Sequence, residues 1–276
     1  MHPPEAAAEA LPDLLTLIGV SALAYVLATA LHEHLGHALA CVALGSHPLE
    51  MGAFYVECDD TRLSSVSLRL VSLAGPVASL LTGLVCFTAL RRLPHLAGAS
   101  FYFVWLLGAI GLMEAAGYMM FSGASGQGDL GTTREGVLYG ASPEWLWRAA
   151  LFALGVLAYM RVMRAAVGAI APRVTGSGAA RIRTARLTAL TSYLTGAAVS
   201  VTIGLFNPKG FVIVLMSAMA ASMGGTAGLL FMMQWLNRHR PAQGEGLYFG
   251  RSWAWVAAGA AATLLYGAIF GPTLRP

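Results

Sequence analysis

Long apolar runs separated by short polar segments dominate the pattern along the chain. A run of about 20 residues crosses roughly 30 Å of hydrocarbon at 1.5 Å per residue, so each run predicts a membrane-spanning helix. The pattern predicts about seven spans, with only NPKG between the fifth and the sixth, at 14–44, 66–90, 100–122, 146–170, 187–206, 211–236 and 253–271. The expected fold is an all-α polytopic bundle embedded in a lipid bilayer.

Composition and the first residues agree with this interpretation. Hydrophobic residues make up 57% of the 276 positions and charged residues 11%, against roughly 45–50% and 25% in soluble domains. No basic residue precedes the first apolar run, so a cleavable signal peptide is not expected and the first span should persist. The alternating segment MGAFYVEC within 46–63 predicts a short β hairpin whose edge strand could hold an extended substrate.

Basic residues predict the orientation, because Lys and Arg are enriched in cytoplasmic loops. With a cytoplasmic N-terminus, eleven of the seventeen fall on the cytoplasmic side, and the other six are Arg62, Arg69, Arg134, Arg148, Lys209 and Arg275. We therefore expect a multi-pass protein, of the cell membrane if the source is bacterial. The positive charge around 172–186 is a topology signal near anionic lipid, and no nucleic-acid partner is expected.

The three cysteines are Cys41, Cys58 and Cys86. They form no CxxC pair, and their odd number argues against a disulfide framework. We expect them to have no structural or catalytic role.

A cluster of ionisable residues lies inside the first predicted span, in the stretch ALHEHLGHALA at 30–40. Such side chains are costly within a span unless they are paired or hydrated, so the cluster predicts a functional site. Neutral imidazoles and a carboxylate are zinc ligands, and a bound dication would compensate a buried carboxylate. The stretch therefore predicts a Zn²⁺ site, the alternative being a wet helix end without metal.

The spacing leaves different ligand sets open. On a regular helix, residues three or four apart lie within about 60° around the axis, whereas residues five apart are separated by about 140°. His34 or Glu33 can share a metal with His37 on such a helix. His32 and His37 can share one only if a π-bulge adds a residue to the turn, and such bulges often occur at functional sites.

The stretch HEHLGHALA resembles the HExxH helix of the site-2 protease family of intramembrane zinc metalloproteases, typically HELGHALA, with one residue inserted. In that family two histidines bind zinc and the glutamate activates the attacking water. The resemblance implies His32 and His37 as metal ligands, Glu33 as the catalytic base and His34 as the inserted residue. If LGHALA fixes the register instead, Glu33 takes the first ligand position and His34 the position of the base.

Two further segments carry the resemblance. SLAGPVASLLTGL at 72–84 is similar to the family's AGP motif, with Ser79 at the position of its asparagine. GYMMFSGASGQGDLG at 117–131 offers Asp129 as the aspartate that completes the metal site, although the glycine precedes it. Without the resemblance, Gly75-Pro76 is a helix start and Asp129 a turn residue.

Glu114 is another carboxylate in the middle of a predicted span. It and Glu33 lie at comparable depth from the same side, at roughly 21 and 28 Å along their spans. Glu114 is therefore an alternative third ligand or a proton relay, or else a protonated carboxyl bonded to a neighbouring helix.

The order of the spans places these segments together without any family comparison. Because consecutive spans alternate in direction, His32–His37, Gly75-Pro76 and Asp129 all lie toward the same membrane face. The resemblance implies a metal near the cytosolic leaflet, whereas the basic residues place this face outside. We expect a metalloprotease-like core at 1–136 and further spans of the same membrane domain at 137–276.

The expected function is that of a zinc-dependent intramembrane endopeptidase acting on a membrane-associated peptide or protein. The alternatives are a non-proteolytic metal-binding scaffold and an ion or proton transporter, because one residue is inserted in the helix motif and the Asp-Gly order is inverted.

Overall fold

The computed structural model describes residues 11–174, 178–211, 223–239 and 247–276. Helices dominate these residues, so the prediction of an all-α bundle is confirmed. Within these ranges six helices are long and apolar enough to cross a membrane, and they are Leu14–Ala43, Ser65–Arg92, Gly98–Ser125, Glu144–Arg173, Gly178–Leu205 and Trp253–Phe270.

The sixth predicted span, 211–236, is where the expectation and the described structure differ. Residues 212–222 of that span lie outside the described part of the chain. The residues that follow form short pieces and not one long helix, namely Gly224–Thr226, Gly228–Phe231 and a 3₁₀ helix at Met232–Arg238. The glycines of GGTAG account for this, because glycine in a helix interior costs about 1 kcal/mol relative to alanine.

The first span is three helices in unbroken succession, α1 (Leu14–Ala30), a π-helix (Leu31–Ala38) and α2 (Leu39–Ala43). The side chain of Asp13 accepts a hydrogen bond of 3.0 Å from the backbone N–H of Thr16 and so caps the N-terminus of α1. The other long helices are α3 (Ser65–Arg92), α4 (Gly98–Ser125), α5 (Glu144–Ile170), α6 (Gly178–Leu205) and α9 (Trp253–Phe270). The short helices α7 (Gly224–Thr226) and α8 (Gly228–Phe231) lie between α6 and α9.

Helices α1 and α4 form the centre of the bundle, where Tyr25, Tyr102 and Trp105 are buried. Their polar atoms are satisfied, as expected for buried polar groups. The hydroxyl of Ser192 on α6 lies 2.7 Å from that of Tyr102 and accepts a hydrogen bond at 2.8 Å from Ser21. The packing of α3 and α4 against the first span brings the π-helix next to two further helices.

The predicted hairpin is present, with β1 (Pro48–Met51) antiparallel to β2 (Val56–Cys58). On the other side of β1, Met51 exchanges both backbone hydrogen bonds with Leu274, at 2.8 and 2.9 Å. Arg275 and Lys209 bind the carboxylate of Glu50, at 2.9 and 3.2 Å. The hairpin is therefore fastened to the segments that follow α6 and α9.

The expectation that no cysteine is paired is wrong. Cys41 and Cys58 form a disulfide with a Cα–Cα distance of 5.9 Å, and Cys86 is free and buried. The sequence separation of 17 residues gives no local signal. The bond forms because the antiparallel hairpin returns β2 to the end of α2, and closing a loop of this length contributes about 3 kcal/mol.

The two ends of the bundle differ in their polar residues. The hairpin end consists of residues 44–64, 126–143, 206–211 and 271–276, and Arg134 joins two of these segments by an ion pair with Asp60 at 2.9 Å. The arginine end consists of residues 11–13, 91–97, 171–174, 178–186, 236–239 and 247–252. There Arg173 donates to the carbonyl of Pro94 at 3.2 Å, and Asp13 pairs with Arg251 at 2.7 Å.

Candidate metal site

The candidate site begins with the π-helix at Leu31–Ala38, which contains the whole cluster LHEHLGHA. A π-helix bonds residues five apart and not four, so His32 and His37 come onto the same side. Of the alternatives that the spacing left open, this is the one in the structure. Both side chains are buried, with 3% and 7% of their surface exposed.

Three possible ligand atoms lie at the corners of a small triangle. The Nε2 atoms of His32 and His37 are 3.3 Å apart. The Oδ2 atom of Asp129 lies 3.2 Å from the Nε2 of His32 and 3.4 Å from that of His37. His32, His37 and Asp129 are a group that could hold a metal ion.

The other ring nitrogen of His37 fixes its tautomer. Its Nδ1 lies 2.8 Å from the backbone carbonyl of Val71 on α3. A carbonyl oxygen only accepts, so Nδ1 carries the hydrogen and, in the neutral ring, Nε2 keeps its lone pair. The lone pair therefore points into the triangle, as a metal ligand requires.

His32 is oriented by Ser79, whose hydroxyl lies 2.9 Å from its Nδ1. Ser79 is in turn hydrogen-bonded to the carboxyl group of Glu114 on α4. When Ser79 donates its only proton to an oxygen of this carboxyl group, it accepts from Nδ1 of His32, which leaves Nε2 of His32 free for a metal. Glu114 thus lies behind Ser79, outside the group of three ligand atoms that could hold an ion.

Asp129 is positioned by the loop that follows α4. Gly126 ends that helix with a φ of 76°, and Gly128 has the same value, a left-handed conformation that glycine adopts without strain. Arg148 on α5 donates to the carbonyls of Gly123 and Ala124, at 3.2 and 2.6 Å, and so secures the last turn of α4. The loop therefore reaches the site from a fixed helix end.

The electrostatics of Asp129 follow from its neighbours. Burial alone would raise the pKa of this carboxyl group, but the adjacent His37 and the hydrogen bond from His32 outweigh burial. The pKa of Asp129 is held well below its usual range, and the group is an anion at neutral pH.

A close crossing of the π-helix and α3 makes the triangle possible. A Cβ atom added at Gly36 would lie 2.7 Å from the Cα of Gly75. A Cβ atom at Gly75 would overlap the Nε2 of His37 and lie 2.7 Å from the Nε2 of His32. Two glycines therefore let the backbones approach, and the space over Gly75 is filled by the two imidazole rings.

His34 lies on the other side of the π-helix. Its ring is 4.0 Å from the ring of Phe270 and 5.7 Å from that of Tyr266, measured between centroids. Neither ring nitrogen has a hydrogen-bond partner among the described residues. The structure does not bring His34 to His37 and Asp129, so it does not contain the alternative ligand pair.

Glu33 is buried beside the triangle, with 5% of its surface exposed. Its carboxyl group interacts electrostatically with His32, His37 and Asp129. Glu33 directly follows His32 in the chain and does not belong to the group of three ligand atoms.

Sequence reasoning missed Tyr118, whose ring stacks on that of His32 at 4.8 Å and 20°. A usable signal was present, because Glu114, Tyr118 and Ser122 recur at four-residue spacing on an otherwise apolar helix. The contact of Val71 is made by its backbone, so no side-chain pattern could have indicated it.

Comparisons with known proteins identify no relative of this chain. No protein-family model, no curated protein and no solved structure matches this chain. The function must therefore be argued from the geometry of the site.

Proposed function

We propose that the protein is a zinc-dependent endopeptidase embedded in the membrane, with His32, His37 and Asp129 as metal ligands and Glu33 as the catalytic base. The observation that carries the proposal is the triangle of ligand atoms beside a buried glutamate. It also agrees with the resemblance of HEHLGHALA, AGP and Asp129 to the site-2 protease motifs.

The dimensions of the triangle favour zinc. Zinc bonds of about 2.0–2.1 Å at tetrahedral angles put neighbouring ligand atoms about 3.3–3.4 Å apart. The separations here are 3.2, 3.3 and 3.4 Å. Three protein ligands leave a fourth tetrahedral position, as in catalytic zinc sites, whereas structural sites are closed by four.

The residues then have separate tasks. When bound, zinc in such a site lowers the pKa of a water molecule to about 7 and polarises a carbonyl group. Glu33 takes the proton from the attacking water and passes it to the leaving amine. Val71 and Ser79 hold the two imidazoles so that their lone pairs face the metal.

The hairpin is the proposed substrate-binding element. A peptide bond can be cleaved only where the chain is extended, and an extended chain can add as a strand to a sheet edge. Met51 on β1 already pairs with Leu274, so β2 presents the remaining edge. We place the substrate, a membrane-associated peptide or protein, along β2.

The proposal includes an orientation. Ten of the sixteen described Lys and Arg residues lie at the arginine end or in the helix turns next to it, and such residues are enriched on the cytoplasmic side. We place the bundle in the cell membrane, with the N-terminus on the cytoplasmic side.

The test uses Glu33→Gln in the purified full chain, with Glu135→Gln as a matched control, because Glu135 is exposed at the hairpin end. Bound zinc is measured by mass spectrometry, and cleavage is measured on fluorescent casein and on a membrane-tethered reporter. We expect wild type and Glu135→Gln to cleave, and Glu33→Gln to keep its zinc and lose at least about 100-fold in rate, the scale of general base catalysis.

Normal turnover by Glu33→Gln would remove Glu33 as the base. Zinc binding by a wild-type protein that cleaves neither reporter would contradict the peptidase and favour a metal-binding scaffold. Proton or ion flux through liposomes containing the protein would favour a transporter.

A further inference from the structure

The disulfide between Cys41 and Cys58 lies at the same end of the bundle as the candidate metal site. Cys41 follows His37 by four residues in the same unbroken helical run, and Cys58 ends β2. Disulfides persist in oxidising compartments and are rare where cytosolic reductants act. The bond therefore carries information about which side of the membrane this end faces.

A second observation, independent of the cysteines, points the same way. The described part of the arginine end and the helix turns next to it contain ten basic residues, which are Arg91, Arg92, Arg161, Arg164, Arg173, Arg181, Arg183, Arg186, Arg238 and Arg251. The one acidic residue described at that end is Asp13. At the hairpin end and in the helix turns next to it, six basic residues are offset by acidic ones such as Glu57, Asp60 and Glu135.

The two ends are separated by the full length of the helices. Gly75 marks the depth of the metal site on α3, and Arg91 lies about 24 Å further along that helix at 1.5 Å per residue. An arginine-rich end in the cytosol would leave the hairpin end, the disulfide and the site nearer the opposite surface.

We propose that the hairpin end faces an oxidising, non-cytosolic compartment, and that the site acts on membrane proteins whose scissile bond lies at the non-cytosolic end of a membrane segment. The part concerning substrates rests on the proposed peptidase function; the part concerning sidedness does not. A disulfide stable in that compartment holds β2, the proposed substrate edge, to the helix that carries both histidines.

Sidedness is tested by labelling single cysteines in intact cells that express the full chain. Arg134→Cys probes the hairpin end and Arg92→Cys the arginine end, since both positions are exposed. Both are built on Cys86→Ala and, as a matched background, on native Cys86, which is buried. Cys41 and Cys58 are kept, because a disulfide does not react with maleimide.

We expect a membrane-impermeant maleimide to label Arg134→Cys in intact cells and Arg92→Cys only after the membrane is opened. The denatured, unreduced wild-type protein should have one reactive thiol, and the reduced protein three. Reversed labelling, or three reactive thiols without reductant, would overturn the inference whether or not the protein cleaves anything.

The substrate class is tested with two reporters that share one membrane segment. One carries an unstructured flank on the non-cytosolic side and the other carries it on the cytosolic side. We expect at least tenfold faster cleavage of the first. Equal rates, or preference for the second, would overturn the substrate assignment while leaving the peptidase proposal intact.

Discussion

The two sides of the π-helix contain the same kind of side chain in different surroundings. On one side, His32 and His37 face each other and Asp129, and Ser79 and the carbonyl of Val71 contact their outer nitrogens. On the other side, His34 lies against Phe270, and neither of its ring nitrogens has a partner among the described residues.

This difference shows what makes a buried histidine a metal ligand. All three imidazoles lie within eight residues of one helical segment. Among the described residues, only those on one side provide an anion in reach, acceptors that set the tautomers and a glycine that leaves room for both rings. Asp129→Asn, Gly75→Ala and Ser79→Ala each remove one of these features, and His34→Phe changes the side that lacks them.

The largest effect is expected for Asp129→Asn. The substitution removes the negative charge that compensates the dication. Losing a partner of a metal ligand lowers metal affinity by up to about 100-fold, so losing a ligand itself should lower zinc affinity by more than that. Asp60→Asn, an exposed position at the same end, is the control and should bind zinc normally. Competition with a fluorescent chelator measures both constants, and a change below tenfold for Asp129→Asn would exclude it as a ligand.

Gly75→Ala should disrupt the arrangement of the two imidazole rings that lie over this glycine. Its Cβ atom would overlap the imidazole of His37, so the rings or α3 must move, at a cost of about 1–3 kcal/mol. We expect at least a tenfold loss of zinc affinity and a lower melting temperature. Gly168→Ala is the matched control, because the nearest described atom outside its own helix turn would lie 3.8 Å from the added Cβ atom, at His239. Unchanged zinc binding by Gly75→Ala would show that the close crossing is not needed.

Ser79→Ala and Glu114→Gln should have a smaller effect. Ser79→Ala removes the hydroxyl that accepts from His32, and Glu114→Gln replaces the carboxyl group bonded to that hydroxyl by an amide; such partners contribute about 10- to 100-fold in metal affinity. Ser122→Ala removes a buried hydroxyl from α4, the helix that carries Glu114. This hydroxyl has no hydrogen-bond partner among the described residues, so zinc affinity should be unchanged. Equal losses in all three variants would indicate general destabilisation of the bundle and not a role at the metal.

The smallest effect on the metal is expected for His34→Phe. The substitution removes two buried nitrogens without described partners and keeps an aromatic ring beside Phe270. Zinc affinity should stay within twofold, and the free energy of unfolding should rise by about 1–2 kcal/mol. Loss of zinc from this variant would erase the difference between the two sides of the helix.

The long helices and the convergence of the site followed from the sequence, because hydrocarbon thickness fixes span length and alternating direction fixes which loops meet. The short helices after Gly224 were not predicted, since residues that are apolar on average can still break a helix where glycines recur. His32, Glu33, His37 and Asp129 were site candidates from the sequence. The choice between His32 and His34 as the ligand that joins His37 stayed open, because it depends on whether the helix bonds residues four or five apart.

The partners of the imidazoles were harder to foresee. Ser79 was noted only as a departure from a motif. For Glu114 the sequence left open a third ligand, a proton relay and a carboxyl group bonded to a neighbouring helix, and in the structure it is bonded to Ser79 on α3. The pairing of Cys41 with Cys58 depends on the return of the hairpin, a contact that has no signature in composition or spacing.

Zinc X-ray absorption of the purified full chain, recorded for wild type and for His34→Phe, shows which side chains hold the metal. We expect one zinc per chain whose first shell contains two imidazole nitrogens and a carboxylate oxygen, with identical spectra for the two proteins. A protein that binds no zinc, or a spectrum that loses an imidazole in His34→Phe, would contradict this expectation.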